Sequence, residues 1–450
     1  MTRPQSGSAR GALLPRSFRQ AYPVATRAEG AYIWDSTGKQ YLDFSGGAAV
    51  SFIGHGDPEV IKAMAAQAAA LDFVHSSQFS HSTAEEFARE LLDFAGPNFE
   101  RGAVYLCSGG SEAVETAIKL ARQYQVEIGH PGRFRVVSRK QSYHGATTGA
   151  LALSGNPRRK KMYAPLLSPA LSTSEANAPY CYRCTYRCDQ CGMRYAQEVA
   201  RALDANGPEV AAFIAEPVSG ATLGAAVPTA DYWPRVRQLC AERGVLLIAD
   251  EVMTGFGRTG RNFGLDHWNT AADMIVAGKG IGSGYAPLAA VIVSRRIVEA
   301  IAGGSGSVVH GLTYNAQPVA CAAGRAVLDR IRSAGLVERA AALEGKMGSS
   351  LQRLLGSPWV GDARGIGLLW GIELVSDRHT KAPFAPELGI ATRLAAQCRE
   401  RGIMVYPMQG CVDGVSGDHL LLAPPAIITD AQIDHAIAQI ADALTILDKV

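Results

Sequence analysis

Six short apolar runs, at residues 103–106, 134–138, 211–215, 245–249, 274–277 and 288–293, punctuate the middle of this 450-residue chain. They are rich in β-branched residues and show no regular alternation with polar ones, so each reads as a strand buried on both faces. Helical patterns lie between several of them. Ala113, Ala117, Leu120 and Ala121, for example, share one face at the 3.6-residue period. Strands buried on both sides and joined by helical crossovers specify an α/β fold with a mostly parallel central sheet.

The flanks read differently. Residues 30–55 carry short alternating segments and turn signals (Asp35-Ser36-Thr37-Gly38, then Ser45-Gly46-Gly47), the pattern of a small antiparallel meander. Beyond about residue 320 an Ala-rich helical stretch leads into strand-like 368–374 and 403–406, and a terminal helix begins near Asp430. The expected organisation is an arm and part of a small domain at 1–60, a large domain at 61–325, and the rest of the small α+β domain at 326–450. With 47% apolar and 19% charged residues the composition is globular. A net charge of +3 gives no field of one sign, so neither nucleic acid nor an anionic membrane is an expected partner. The longest apolar runs fall far short of the roughly 20 residues that span a bilayer. Near the N-terminus Arg3, Arg10, Arg16 and Arg19 are scattered among Ser, Gly and Pro without an apolar signal core, and a cytoplasmic location is expected.

Three segments carry chemistry. The run Leu247-Ile248-Ala249-Asp250 ends in a carboxylate, and ligands of open α/β sheets bind beyond the carboxyl ends of the strands. The run at 274–277 is followed by Gly278-Lys279-Gly280, which leaves open space around an amine able to attack a carbonyl and form a Schiff base. Ser108-Gly109-Gly110-Ser111-Glu112-Ala113 follows a strand and opens a helix, an arrangement whose free backbone N–H groups cradle anions. Two nucleotide readings fail. Gly280 stands where a phosphate loop needs Ser or Thr after its lysine, and Gly280, Gly282 and Tyr285 do not make a dinucleotide fingerprint. An anion cradle, a strand-end acid and a strand-end lysine together match pyridoxal phosphate.

Around these residues stand Tyr143-His144-Gly145, Glu216-Pro217, Asp250-Glu251-Val252 with Gly255-Phe256-Gly257-Arg258-Thr259-Gly260, and Gly311-Leu312-Thr313-Tyr314. With them the sequence resembles the class-III (omega-type) aminotransferases, pyridoxal-phosphate enzymes of fold type I. The resemblance implies Lys279 as the Schiff-base residue and Asp250 as partner of the pyridine nitrogen. It implies Gly110 and Ser111 at the phosphate, Tyr143 and Val252 on the two ring faces, and His144 and Glu216 in the cofactor site. Thr313 is implied as a phosphate ligand given to the other subunit, which makes the expected unit a homodimer with shared active sites. The implied reaction moves an amino group from an amine donor to an oxo-acid acceptor, pyruvate or 2-oxoglutarate, by a ping-pong route through Lys279. An aminomutase or a decarboxylating transaminase of the same fold is the alternative. A silent scaffold is disfavoured because Lys279, Asp250 and Thr313 are all intact.

Two features depart from the family. Many relatives acting on α-amino acids carry an Arg shortly before the Pro-Pro near the C-terminus; here Leu421 precedes Pro424-Pro425, and 412–419 contains no Arg. Arg158, Arg159 and Arg258 stand as substitutes, and the donor shifts toward an amine or ω-amino compound. The second feature is Cys181, Cys184, Cys188 and Cys191 in an insertion at 179–193. Two Cys-x2-Cys pairs supply ligands for a structural zinc, but their spacer is much shorter than in zinc knuckles. Free or redox-active thiols are the other reading.

Overall fold

In the computed structural model the described residues are 12–18, 20–171, 173–184, 186 and 191–449. A seven-stranded sheet runs in the spatial order Ala103–Cys107, Ala289–Val293, Met274–Ala277, Leu246–Asp250, Val210–Ala215, Arg135–Arg139, Thr173–Ala176. All six expected strands are present with ends shifted by about a residue. The edge strand Thr173–Ala176 has no apolar run to announce it. Ala289–Val293 pairs antiparallel with both neighbours, and the other pairings are parallel. Residues 278–288, which lead into it, hold only a single helical turn, whereas a parallel return needs a crossover of a dozen or more residues.

Alternate residues of the central strands face two layers. Leu246 and Ile248 pack under the helix Gly110–Glu127 through its Ala113, Ala117, Leu120 and Ala121 face, as the 3.6-residue pattern requires. Leu247 and Ala249 pack under the helices Cys191–Asn206 and Tyr232–Glu242. With both faces covered, the open places are the strand ends.

Both ends of the chain meet in a second sheet. Ala25–Glu29, Tyr32–Asp35 and Gln40–Asp43 form the meander, beginning earlier than expected, and Ile403–Met404 adds in parallel to Gln40–Asp43. A third, antiparallel sheet orders Val360–Ile366, Leu369–Leu374, Asp418–Leu422 and Tyr406–Gln409. On it sits Glu373, fully buried. Its carboxylate pairs with Arg183 at 2.6 Å and Arg364 at 2.9 Å and accepts the Tyr180 hydroxyl, which ties 180–183 to this sheet. Burial alone would raise the Glu373 pKa; the two guanidiniums outweigh it and hold the group below the usual carboxylate range.

A pair of this kind is costly to break from one side, because the Arg183 guanidinium is left without its carboxylate and Arg364 keeps only Asp362, at 2.8 Å. Glu373→Gln is expected to lower stability by about 3 kcal/mol near neutral pH. Since the folded-state pKa is depressed, the wild-type advantage is complete above the unfolded carboxyl pKa and is lost as pH falls through the folded value. Denaturant unfolding should therefore show the gap between the two proteins narrowing below about pH 4; a gap independent of pH would contradict the pairing.

Candidate active site

Lys279 stands where Met274–Ala277 ends, with a φ of +45° that a lysine rarely adopts. Such strain, on the order of 1–3 kcal/mol, persists only where the surroundings over-determine it. Here they do. A Cβ on Gly278 would lie 3.2 Å from Val252 and 3.6 Å from the Gly110 Cα, so glycine lets the turn, the helix start and the segment after Asp250 converge. Burial holds the Lys279 amine below its usual range, against the opposing charges of Asp250 and Glu216.

Asp250, 4% exposed, closes the neighbouring strand. Its Oδ2 lies 2.7 Å from His144 Nδ1, and its Oδ1 accepts the Val252 N–H at 3.2 Å. His144 is held in turn by its own N–H, which donates to Ser154 Oγ at 2.8 Å. Burial pushes Glu216 above the usual carboxylate range, with His144 and Arg139 opposing. Two buried atoms here, His144 Nε2 and Glu216 Oε2, have no hydrogen-bond partner among the described residues.

Gly110, Ser111, Tyr143, His144, Glu216, Asp250, Val252 and Lys279 line one cavity of about 200 Å³. Of the expected cofactor residues only Thr313 lies outside it, exposed on this chain. The helix Gly110–Glu127 begins at the cavity, and the first N–H groups of a helix have no intrahelical acceptor. Glu112 folds back to accept the Ser108 N–H at 2.9 Å. The donor set fits pyridoxal phosphate: N–H groups for the phosphate, a carboxylate for the ring nitrogen, an amine for the aldehyde, and unpartnered polar atoms in the wall.

Comparison with known proteins agrees with this chemistry. The sequence matches the family aminotransferase class-III over residues 14–444. The chain is a class-III aminotransferase. It is 38% identical to an uncharacterised aminotransferase, YodT, of Bacillus subtilis, over 97% of this chain and 98% of that protein. Its structure resembles an (S)-enantioselective omega-transaminase from Thermomicrobium roseum with a TM-score of 0.90 and 36% identity, covering 97% of this chain and 96% of the other. It resembles equally an amine transaminase from an uncultivated Pseudomonas species in its PLP-bound form, with a TM-score of 0.90 and 35% identity over 98% and 99% of the two chains. Class-III aminotransferases use pyridoxal phosphate.

Other expectations separate in this aminotransferase. Leu421 is 1% exposed and packed in the core, so no clamp forms at that position. Arg258 does not replace it. Fully buried, it donates to the carbonyls of Pro424 at 2.5 Å, Leu368 at 3.4 Å and Ser51 at 3.5 Å, which anchors it to the backbone. The zinc site is not supported. Among the described residues no group of three or more His, Cys, Asp or Glu is placed to hold a metal, and Cys188 lies outside them. Cys181 is exposed, Cys184 half-buried and Cys191 buried; burial, with Cys181 and Cys184 as neighbours, pushes the Cys191 thiol up to about 12. Sequence reasoning missed Arg139, wholly buried, whose guanidinium donates to the Glu216 carbonyl at 2.5 Å and to Ser219 Oγ at 3.2 Å. It too closes a strand, so the rule that singled out Asp250 reaches it.

Gly145 offers a test of the phosphate end. Its φ is +146°, and a Cβ there would lie 2.6 Å from Ser111 Oγ, whereas a Cβ on Gly109 would meet nothing within 4 Å. Gly145→Ala is expected to weaken retention of pyridoxal phosphate by at least about tenfold, the value of roughly one charge-assisted hydrogen bond. Gly109→Ala serves as the comparison and should stay nearer wild type in equilibrium titrations of the cofactor. Equal effects from both would remove Ser111 from the phosphate site.

Proposed function

We propose that this aminotransferase transfers the amino group of an amine or ω-amino compound to an oxo-acid acceptor, in two half-reactions through a Schiff base at Lys279. Bound pyridoxal phosphate supplies the aldehyde that takes the amine and a ring that accepts electrons. The Lys279 amine, its pKa lowered by burial, would hold the aldehyde when the cofactor is bound and, once released by the donor, could take and return a proton at the reacting carbon. Asp250, oriented through its 2.7 Å contact with His144, would hold the proton of the ring nitrogen when the cofactor is bound. Glu216 forms the wall beside it, and Arg139, outside the lining, fixes that segment through the Glu216 carbonyl. Tyr143 and Val252 exclude water from the two ring faces. Thr313, exposed here, serves the phosphate site of a second subunit, so the working unit is a homodimer.

The observation that carries the choice of donor is the cavity lining. It contains Lys279, Asp250 and Glu216 and no arginine, and Leu421, three residues before Pro424-Pro425, is buried. A donor carboxylate next to the reacting carbon would meet no guanidinium in that lining, and it is costly to bury unpaired. The similarity to enzymes described as an omega-transaminase and an amine transaminase supports the same reading.

Two measurements test it. In a spectrophotometric screen of the first half-reaction, primary amines and ω-amino compounds should aminate the cofactor at least roughly tenfold faster than α-amino acids, the cost of about 1.4 kcal/mol of unpaired charge; the reverse order would overturn the donor assignment. With donor and acceptor together, double-reciprocal plots should be parallel and Lys279→Ala should abolish turnover. Isomerisation without an acceptor, or release of carbon dioxide, would point instead to the aminomutase or decarboxylating alternative.

A further inference from the structure

The acceptor poses a problem the donor does not. A dicarboxylic oxo acid such as 2-oxoglutarate brings a second carboxylate, remote from the reacting carbon, to a cavity whose lining has no arginine, and a desolvated carboxylate needs a partner. Leu421 is apolar and Arg258 is committed to backbone carbonyls. The remaining guanidiniums stand at the border of the site. Arg159 lies over Tyr143, its guanidinium carbon 4.5 Å from the ring centroid, and Tyr143 is a wall of the cofactor cavity. Arg158 donates to Gln409 Oε1, and Gln409 Nε2 donates to the Pro386 carbonyl at 2.8 Å.

The short helix Pro157–Lys160 that carries both is pressed against the segment 410–417, where a Cβ on Gly414 would lie 2.4 Å from Pro157 Cδ. That segment holds no arginine, and the helix abutting it holds two. Beside them opens a cleft of about 710 Å³ lined by Arg16, Arg158, Arg159 and Arg399, with no Asp or Glu in its lining. Neither Arg158 nor Arg159 has a carboxylate within ion-pair distance among the described residues; Asp418 feels Arg158 only at longer range.

We propose that Arg158 and Arg159 form the subsite for the far carboxylate of a dicarboxylic oxo-acid acceptor such as 2-oxoglutarate, the one not carried by the reacting carbon, an inference that rests on the transaminase reading above. A guanidinium stacked on an aromatic ring is pre-organised, and its N–H fork suits a carboxylate in bidentate fashion. Set at the edge of the cavity, the pair serves the charged acceptor and leaves the interior free for an uncharged donor chain. One cavity thus accommodates two unlike substrates in turn.

The test compares carbonyl acceptors in the second half-reaction, using holoenzyme whose cofactor has been aminated beforehand. For Arg158→Leu/Arg159→Leu the preference for 2-oxoglutarate over pyruvate should fall by about 10- to 100-fold, the worth of one or two charge-assisted hydrogen bonds. Arg158→Lys/Arg159→Lys should retain part of it. Calorimetric titration with glutarate, a carboxylate that cannot react, should show binding to the wild-type holoenzyme and none to the leucine variant. An unchanged preference, equal losses with 2-oxoglutarate and pyruvate, or undiminished glutarate binding would overturn the subsite while leaving the transaminase reading in place. Failure of the wild-type enzyme to pass its amino group to pyruvate or 2-oxoglutarate would overturn both.

Discussion

A carboxylate at the end of a strand buried on both faces has almost no water to share, so its protein partners determine what surrounds it. Asp250 is in that position, with one oxygen 2.7 Å from His144 and the other on the Val252 N–H. Holding His144 requires Ser154, at the end of the helix Thr148–Leu153, and holding Val252 beside the cavity requires glycine at 110 and 278. The seven-stranded sheet brings these segments to one edge because its strands other than Ala103–Cys107 and Ala289–Val293 are bonded in parallel register. The strained backbone of Lys279 is the visible cost of that convergence.

Charge is distributed around this centre with a consistent logic. Lys279, Asp250 and Glu216 face a small shared space, and burial acts on them in opposite senses, lowering the amine and raising Glu216. Arg139 and Arg258 are wholly buried and tied to backbone carbonyls, where they fix loops. Arg158 and Arg159 remain at the border, one on Gln409 and one over Tyr143. Around the site, then, the buried arginines are structural ties and the border pair are cations without a carboxylate partner among the described residues.

Much of this was legible from residue pattern. Apolar runs without alternation gave the central strands because burial on both faces leaves a composition signal, and the strand-end rule located Asp250 and Lys279. Thr173–Ala176 left no such signal, being a polar edge strand whose existence depends on its neighbour. The sense of Ala289–Val293 depends on the short connection before it, which apolar patterning does not weigh. Arg258 was misjudged as a free cation because a guanidinium satisfied by carbonyls distant in sequence looks the same in a sequence as one facing solvent. The cysteine spacing suggested zinc, yet spacing is silent on where side chains converge, and among the described residues no three metal-ligating groups do so.

The central claim is that Lys279 is the amine that carries the cofactor. Lys160 is the informative rival, since it too is half-buried, its amine is lowered by burial, and it lies near the site with its Nζ 2.8 Å from the Ala152 carbonyl. Borohydride reduction of the holoenzyme, followed by proteolysis and mass mapping of the phosphopyridoxyl group, distinguishes them directly. The account predicts a single modified peptide containing Lys279; modification at Lys160 or any other lysine, or none at all, would contradict it.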